Sequence, residues 1–357
     1  MGAHSSSQPR KKKALVVGGL GVAGRYLVEH LTSLSEWEVV AIARSAPTFQ
    51  SRANFIAVDI ADREACRSRL SELTDVTHVF HAARDDRGDQ AEQARNNLGM
   101  LRHVVDVIEE VSPHFTHVNL MHGMKAYGTL LGSFKTPALE TDTRVPPPLA
   151  YYDQEDFVIE RQRGKNWSWS TLRPGPICGV TIGYSGNLIS ILGIYGSICQ
   201  ELDMPFWFPG TPQAFSALRQ ACDARLLAKA ATWISTNDAC ANEVFNVSNG
   251  EVFRWEHLWP SIAGFFGLEP RPPRDIRLKE YMLDKAPVWE RLVARHGLAT
   301  HPFLKVASWG YSDTFHNGWD SFANDTRLRR TGFGEVIDTS TSMLGMLQNL
   351  RDMRVIP

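Results

Sequence analysis

The sequence predicts an α/β protein whose body is a doubly wound parallel sheet, followed by a smaller C-terminal part. Short apolar strand patterns alternate with helical patterns through the first half of the 357 residues, as in parallel sheets covered by helices on both faces. The glycine-spaced turn Gly18-x-x-Gly21-x-x-Gly24 joins the first strand pattern to a helix. Beyond Pro174 the alternation weakens. Together these observations favour a Rossmann-type body with a substrate-covering tail.

Six apolar runs account for the strands of the predicted body, and each is short and bounded by polar or turn residues. They are residues 14–18, 37–44, 54–60, 78–83, 116–121 and 168–174. Helical patterns lie between them, for example from about Gly24 onwards and over 89–110 and 153–164. In the second half we expect helices over 187–202 and 222–235, and a late strand over 244–250.

The same patterns suggest three regions. Residues 1–13 (MGAHSSSQPRKKK) are polar and should form a disordered tail, 14–180 the nucleotide-binding Rossmann domain, and 181–357 a substrate-binding or lid region interleaved with it. The tail also fits the N-myristoylation pattern M-G-x-x-x-S followed by basic residues. An unmodified flexible tail is the simpler interpretation of that short pattern.

Bulk composition limits the classes of partner. The net charge of −1 gives no electrostatic reason to expect nucleic acid or an anionic membrane surface. No apolar run reaches the length of about 18 residues that a membrane span needs, and we see no signal-peptide core. The five cysteines lack C-x-x-C spacing and the histidines lack ligand spacing, so we expect buried thiols, no metal and a cytoplasmic location. The sequence allows a homodimer without fixing the oligomeric state.

The glycine turn predicts a dinucleotide site. Glycines after a strand permit a tight turn and a close approach of the backbone to a pyrophosphate, which the helix N-terminus then faces. A turn tightened only for packing is the alternative. The second strand ends at Arg44-Ser45 rather than at an acidic residue, and a guanidinium can bind the 2′-phosphate of NADP(H) in a bidentate manner. Asp59 and Ile60, after the third strand, are candidate adenine contacts.

The catalytic signal is the stretch LAYYDQED, which places Tyr151 at the start of a helix. The residue four positions later is Glu155, whereas a Tyr-x-x-x-Lys motif would have lysine there. A phenol donates to a developing oxyanion more readily beside an ammonium group. Lys125 follows the fifth strand and should open into the same crevice, although a solvated loop lysine is the alternative. Tyr281 and Lys285 have the motif spacing, but we interpret them as an exposed helix face.

Several ordered stretches resemble the progesterone 5β-reductase/iridoid synthase-like family, an atypical branch of the extended short-chain dehydrogenases/reductases. The matching stretches are GGLGVAG, VTHVFHAAR, GMKAYG, YYDQEDFVIE, WSWSTLRPGPICG, NEVFNVSNGEVFRWEHLW, APVWERLV and the closing RVIP. The resemblance implies a catalytic Tyr151 assisted by Lys125, NADPH as cofactor with Arg44 at its 2′-phosphate, and reduction of the C=C bond of enones or enals. It also implies that Gly175-Pro176-Ile177 cradles the nicotinamide. The cofactor residues expected overall are Gly18, Leu20, Gly21, Val22, Gly24, Arg44, Ser45, Asp59, Ile60, Ala82, Tyr151, Pro174 and Ile177.

Substrate contacts are less well defined. His122 stands where the family often has threonine, and it is either a satisfied polar residue or a contact to substrate or nicotinamide. Tyr152 and Phe322 are further substrate candidates, and Trp207 and Trp319 either shape an apolar pocket or belong to the core. Asn97 matches a family asparagine that we interpret as structural.

We therefore expect an NADPH-dependent reductase of an apolar enone, enal or ketone. A carbonyl (1,2) reductase with the same residues, a nucleotide-sugar epimerase or dehydratase, and a non-catalytic NADP-binding regulator are the alternatives. The absence of the Tyr-x-x-x-Lys lysine and the presence of Arg44 argue against the epimerase. The presence of both Tyr151 and Lys125 argues against the regulator.

Overall fold

The computed structural model describes residues 11–47, 49–182 and 187–357. The described residues form a seven-stranded parallel sheet in the order β10-β6-β5-β4-β1-β2-β3, and two short parallel pairs, β8 with β11 and β7 with β9. The strands are β1 (Lys12–Val17), β2 (Trp37–Ala43), β3 (Asn54–Ala57), β4 (His78–His81), β5 (His117–Met121), β6 (Ser168–Pro174), β7 (Ile177–Cys178), β8 (Phe206–Phe208), β9 (Cys222–Asp223), β10 (Glu243–Val247) and β11 (Pro270–Pro273).

Helices cover both faces of this sheet and build most of the C-terminal part. They are α1 (Val22–Ser33), α2 (Arg63–Leu70), α3 (Gln90–Val111), α4 (Ala150–Gln162), α5 (Leu188–Glu201), α6 (Pro212–Ser216), α7 (Ala224–Ser235), α8 (Trp255–Phe265), α9 (Leu278–Tyr281), α10 (Ala286–His296), α11 (Phe303–Val306), α12 (Thr326–Arg330) and α13 (Thr339–Asp352). A short 3-10 helix, Met124–Tyr127, follows β5.

The predicted fold class is confirmed. Each of the six predicted strands and the late strand lies in the sheet. The helices α1 and α7 pack on one face, and α2, α3 and α4 on the other. Strand β3 is shorter than the predicted run because Asp59 makes a turn: its side chain accepts from the amide of Ala61 and its carbonyl from Asp62. The chain order reverses between β1 and β4, and ligands bind at such a switch point in open α/β sheets.

The C-terminal part has its own core, in which aromatic side chains are prominent. Phe206 stacks on Trp259 with ring centroids 4.3 Å apart, and Phe208 meets Trp259 edge-on. Strand β10 returns from this part to pair with β6, so the two parts share the sheet. The weakened strand–helix alternation reflects a mostly helical packing. The boundary at residue 180 stays a prediction. Residues 1–10 of the predicted tail lie outside the described residues, whereas its last two, Lys12 and Lys13, belong to β1, so the expected disorder was wrong there.

All five cysteines are buried and unbridged. Within the described ranges, no helix has the length and apolar character that crossing a bilayer requires, and no group of three or more histidine, cysteine or acidic side chains could hold a metal ion.

Candidate active site

The glycine turn brings the ends of β1 and β4 together. Gly18 has φ +88°, and a Cβ there would lie 2.7 Å from the amide nitrogen of Ala83. A Cβ on Gly24 would lie 2.2 Å from the carbonyl oxygen of Gly18. Both positions therefore exclude a side chain, and Gly18 needs a backbone conformation that L-residues rarely adopt. Gly21 caps α1 with extended geometry, and a Cβ there would make only ordinary contact.

The N-terminus of α1 suits an anion. Its first turn holds no acidic residue, and no side chain caps it. The amides of the first turn, from Val22 to Gly24, precede the intrahelical bond from Arg25 N to the Gly21 carbonyl. Such amides, with the helix dipole, form a ready site for a pyrophosphate. Leu20 is buried in this turn, and Val22 packs against Gly179, which lies just after β7 and Ile177.

The side chains predicted to contact the adenosine end lie after β2 and β3. Arg44 and Ser45 directly follow β2 and are exposed. Arg44 forms no ion pair or side-chain hydrogen bond with the described part of the chain. Asp59 is exposed beside them, and Ile60 is buried with its carbonyl bonded to His103. A cradle that excludes side chains, an uncapped helix N-terminus and an exposed arginine after β2 together fit a phosphorylated dinucleotide.

The ends of β4, β5 and β6 converge beside Tyr151. Ala82 donates its amide to Val17, at the end of β1. A Cβ on Gly123 would lie 3.5 Å from the Tyr151 hydroxyl oxygen and 3.6 Å from the carbonyl oxygen of Pro174. The hydroxyl and the Pro174 carbonyl therefore both lie on the side of Gly123 that a side chain would occupy. This is the edge of the sheet at which a nicotinamide would lie in this fold.

Tyr151 and Lys125 line one cavity. Tyr151 lies in the first turn of α4, and Lys125 in the 3-10 helix after β5. The cavity opens between the end of β4, helix α3 and the loop that leads to α4. Its lining residues are Ala83, Arg84, Gln90, Gln93, Asn97, Met121, Lys125, Gly128, Leu130, Leu131, Val145, Pro146, Pro148, Leu149, Ala150, Tyr151 and Gln154. The structure thus brings together two residues that the sequence separates.

Packing fixes the Tyr151 ring. It is 8% exposed and stacks on the His122 ring, with centroids 4.4 Å apart and planes 11° apart. His122 in turn contacts Gln154, whose amide nitrogen donates to the carbonyl of Asn97. Burial raises the pKa of the Tyr151 phenol, against the lowering influence of the Arg84 guanidinium. The phenol is therefore protonated at neutral pH and available as a hydrogen-bond donor.

Lys125 is half-buried, and its amine forms no hydrogen bond or ion pair with a described residue. Burial lowers its pKa, and the nearby Arg84 lowers it further. An ammonium without a carboxylate partner among the described residues, in the wall of the cavity that the phenol also lines, can stabilise negative charge that develops on a bound carbonyl oxygen.

Glu155, at the position of the missing lysine, belongs to a buried ion network. Its Oε2 accepts from Arg173 of β6 at 3.0 Å, and its Oε1 from Arg144 at 3.2 Å. Glu155 and Arg173 side chains are 8% and 5% exposed. Arg173 also lies over the Tyr127 ring. Glu155 therefore ties α4 to the sheet, and a cation that assists Tyr151 has to come from another part of the chain.

The three predicted substrate contacts do not line this cavity. His122 is buried behind Tyr151. The Tyr152 hydroxyl donates to the Ala126 carbonyl and accepts from the amide of Val145, so its ring braces the loop. Phe322 offers its backbone carbonyl to the amide of Ala138. Trp207 and Trp319 are half-buried elsewhere, Trp207 under Arg274. Residues 183–186, in the segment between β7 and α5, lie outside the described residues.

The residues Arg84 and Gln154 were not predicted. Arg84 Nη1 lies 3.5 Å from the Tyr151 hydroxyl oxygen, and Gln154 supports His122. A signal was present in the sequence: Arg84 is the first polar residue after the fourth strand pattern, at the edge where ligands bind.

The other tyrosine–lysine pair lies away from the site. Helix α9 ends at Tyr281, and Lys285 lies beyond a turn with its amine 4.4 Å from the Tyr281 ring centroid. The Tyr281 hydroxyl contacts the sulfur of Met204, and the ring is half-buried. The expected exposed helix face was therefore wrong, because the tyrosine packs on the C-terminal core.

Comparison with solved structures agrees with the fold. Solved structures share the fold: a UDP-glucose 4-epimerase of Thermotoga maritima superposes with a TM-score of 0.68 at 16% identity, covering 95% of this chain and 99% of that one. A short-chain dehydrogenase/reductase superfamily protein of Agrobacterium tumefaciens with bound NAD gives 0.67 at 15% identity, covering 96% and 98%. At such identities the likeness establishes the fold alone.

Sequence relatives are more specific. The chain is 31% identical to an (S)-8-oxocitronellyl enol synthase of Camptotheca acuminata, covering 96% of this chain and 93% of that protein. It is 30% identical to a 3-oxo-Delta(4,5)-steroid 5-beta-reductase of Arabidopsis thaliana, covering 98% and 95%. Residues 57–320 match the PRISE-like Rossmann-fold domain. The chain therefore belongs to the PRISE-like Rossmann-fold family and is an oxidoreductase.

Proposed function

We propose that the protein is an NADPH-dependent reductase that adds hydride to the β-carbon of an α,β-unsaturated carbonyl compound. The observation that carries this proposal is the shared cavity of Tyr151 and Lys125 at the carboxyl edge of the sheet. The relatives support the reaction class, since one is named for a steroid 5-beta-reductase activity on a 3-oxo-Delta(4,5) compound.

The residues present fit a phosphorylated dinucleotide. The glycine turn and the α1 N-terminus would hold its pyrophosphate, Arg44 and Ser45 its 2′-phosphate, and Asp59 and Ile60 its adenine. Ala82, Pro174 and Ile177 would border the nicotinamide. When bound, NADPH supplies the hydride.

Tyr151 orients the substrate and stabilises the negative charge that develops on its carbonyl oxygen. Its hydroxyl donates a hydrogen bond to the carbonyl oxygen of the substrate, and this bond strengthens as the oxygen becomes an enolate. The Lys125 ammonium contributes positive charge from the same cavity wall. Apolar rim side chains, Leu130 and Leu131, are exposed beside the cavity and suit an apolar substrate.

The test measures NADPH oxidation over a panel of enones, enals and saturated ketones, with identification of products. We expect the saturated carbonyl compound. An allylic alcohol would instead indicate 1,2 reduction, and no turnover over the whole panel would indicate a non-catalytic NADP-binding protein.

The variant Tyr151→Phe tests the role of the hydroxyl. We expect kcat to fall by about 10²–10⁴-fold, the usual contribution of a positioned acid, while the Kd for NADPH stays near the wild-type value. Tyr152→Phe is the matched control, because the hydrogen bonds of its hydroxyl to described residues are with the backbone of Val145 and Ala126. Near-normal turnover in Tyr151→Phe would overturn the proposed role.

A further inference from the structure

The Arg84 guanidinium lies within hydrogen-bonding distance of the Tyr151 hydroxyl. Its Nη1 lies 3.5 Å from that oxygen, whereas Lys125 forms no hydrogen bond with Tyr151. The other terminal nitrogen of Arg84 forms an ion pair with Asp86. The Arg84 side chain is 38% exposed and also lines the cavity. One end of the guanidinium is thus held by a carboxylate while the other faces the phenol.

The loop that carries Arg84 is held in place. The Asn97 side chain accepts from the amide of Asp85 at 2.9 Å and donates to its carbonyl at 2.7 Å. The Asp85 carboxylate is buried and accepts two hydrogen bonds from the Arg87 side chain, at 2.8 and 2.9 Å, and one from the Arg87 amide at 3.1 Å. Asn97 thereby fixes the backbone next to Arg84, and Asp86 fixes its side chain. Such double fixation is what a positioned charge requires.

We propose that Arg84 is a positioning residue that acts through Tyr151, polarising its hydroxyl toward the substrate oxygen, with Asp86 as its orienting partner. This inference rests on the proposed function, in which Tyr151 donates to a carbonyl that becomes an enolate. No bond to Arg84 forms or breaks: the guanidinium stabilises the electron density that the phenol oxygen gains as its proton moves toward the enolate oxygen.

The charges around the phenol set the expected signs. Within the part of the chain that the structure describes, the charged or titratable groups around Tyr151 are Arg84, Asp86, His122 and Tyr311, with Lys125 in the wall of the same cavity. Burial raises the phenol pKa, Arg84 lowers it, and Asp86 raises it. His122 is uncharged, since burial lowers its pKa well below the usual range. Removing the Arg84 charge should therefore raise the pKa of Tyr151, and removing the Asp86 charge should lower it.

The first arm of the experiment is kinetic. We expect Arg84→Gln to lower kcat by about 10–100-fold, the effect of a charge-assisted hydrogen bond, with an unchanged Kd for NADPH. The alkaline limb of its pH–kcat profile should move to higher pH, and that of Asp86→Asn to lower pH. Arg84→Lys should recover part of the activity. Arg102→Gln, which removes an exposed cation from α3, should leave kcat and the alkaline limb of the pH–kcat profile unchanged.

The second arm needs no substrate. Tyrosinate formation is followed by ultraviolet absorbance as the pH is raised. Subtracting the titration of Tyr151→Phe from that of the wild type leaves the ionisation of the Tyr151 phenol in the folded protein. We expect Arg84→Gln to move this step up by about one pH unit and Asp86→Asn to move it down. Unchanged titration steps in both variants, or shifts of the same sign, would overturn the role of Arg84 whatever the enzyme reduces. Opposite shifts without turnover of any enone would instead place the failure in the proposed function.

Discussion

We propose that one exposed side chain, Arg44, determines the choice of cofactor. It directly follows β2, at the position where NAD-binding proteins of this fold usually have an acidic residue. Its guanidinium is exposed and unpaired within the described residues. A guanidinium that needs no internal partner is free to bind a dianionic phosphate through paired hydrogen bonds.

We expect Arg44→Ala to weaken NADPH binding by about 10–100-fold, because a charge-assisted hydrogen bond contributes about 1.5–3 kcal/mol. NADH binding should hardly change, since NADH lacks the 2′-phosphate. Fluorescence titration with both nucleotides measures the two Kd values. Arg69→Ala, at an exposed arginine of α2, controls for the loss of one positive charge. Equal weakening of NADPH and NADH binding would contradict this role.

At the scale of the element, α4 carries both the Tyr151 phenol and the ion network that ties the helix to the sheet. Tyr151 lies in its first turn, and Glu155, one turn later, pairs with Arg173 of β6. Because residues four apart share a helix face, the network and the phenol point toward the same side. The lysine of a Tyr-x-x-x-Lys motif would here meet two arginines, Arg173 and Arg144.

Glu155→Lys should therefore destabilise the protein without restoring the motif. Loss of one partner of a buried ion pair costs about 3–5 kcal/mol, and a third cation adds repulsion. Urea unfolding measures the stability, and the variant Lys125→Ala/Glu155→Lys tests for rescue of activity.

Asp156→Lys is the matched control for Glu155→Lys, because the Asp156 side chain is 59% exposed and surface ion pairs contribute about 0–1 kcal/mol. The Lys125→Ala/Glu155→Lys variant could prove much more active than Lys125→Ala alone. That result would show that a lysine at position 155 restores the motif, and it would contradict the expectation stated for Glu155→Lys.

The elements also show which parts of the site are predictable. The strands were found because buried parallel strands are continuous apolar runs, and Lys125 and Tyr151 because the ends of such strands converge. Arg84 was missed because the direction of its side chain depends on two contacts that a sequence pattern does not show. Asn97 of α3 holds the backbone of the neighbouring Asp85, and Asp86 pairs with the guanidinium within the loop. The catalytic and cofactor assignments themselves stay predictions until the variants are measured.

At the scale of the whole molecule, buried histidines couple the sheet to pH. His78 of β4 and His117 of β5 are directly paired in register, with ring centroids 6.1 Å apart. His78 bonds the Ser235 carbonyl of α7, and His117 bonds the hydroxyls of Ser168 and Ser170 on β6. Burial lowers the pKa of His78 to about 4 and that of His117 to about 3. The sheet is therefore built around uncharged imidazoles.

The sign of the pH dependence follows. An unfolded histidine has a pKa of about 6.5, so the unfolded state binds more protons than the folded state once the pH falls below that value. The stabilisation by the neutral rings is complete above about pH 6.5 and is lost progressively toward pH 4. The buried carboxylate of Asp85 acts lower, because hydrogen bonds from Arg87 hold its pKa at about 2. The window between about pH 6 and pH 4 therefore holds the histidine contribution and lies above that of Asp85.

We expect the free energy of unfolding in urea to fall by about 1.4 kcal/mol per pH unit for each buried histidine over that window. His117→Gln keeps hydrogen-bonding capacity toward the two serines but binds no proton. The free energy of unfolding should therefore fall less steeply with pH, by the contribution of one histidine, even where the variant is less stable at neutral pH. His257→Gln is the matched control, since the His257 side chain is 75% exposed. A slope in His117→Gln as steep as that of the wild type would show that protonation of this ring does not drive the acid transition, and the sheet would then owe its pH sensitivity to other groups.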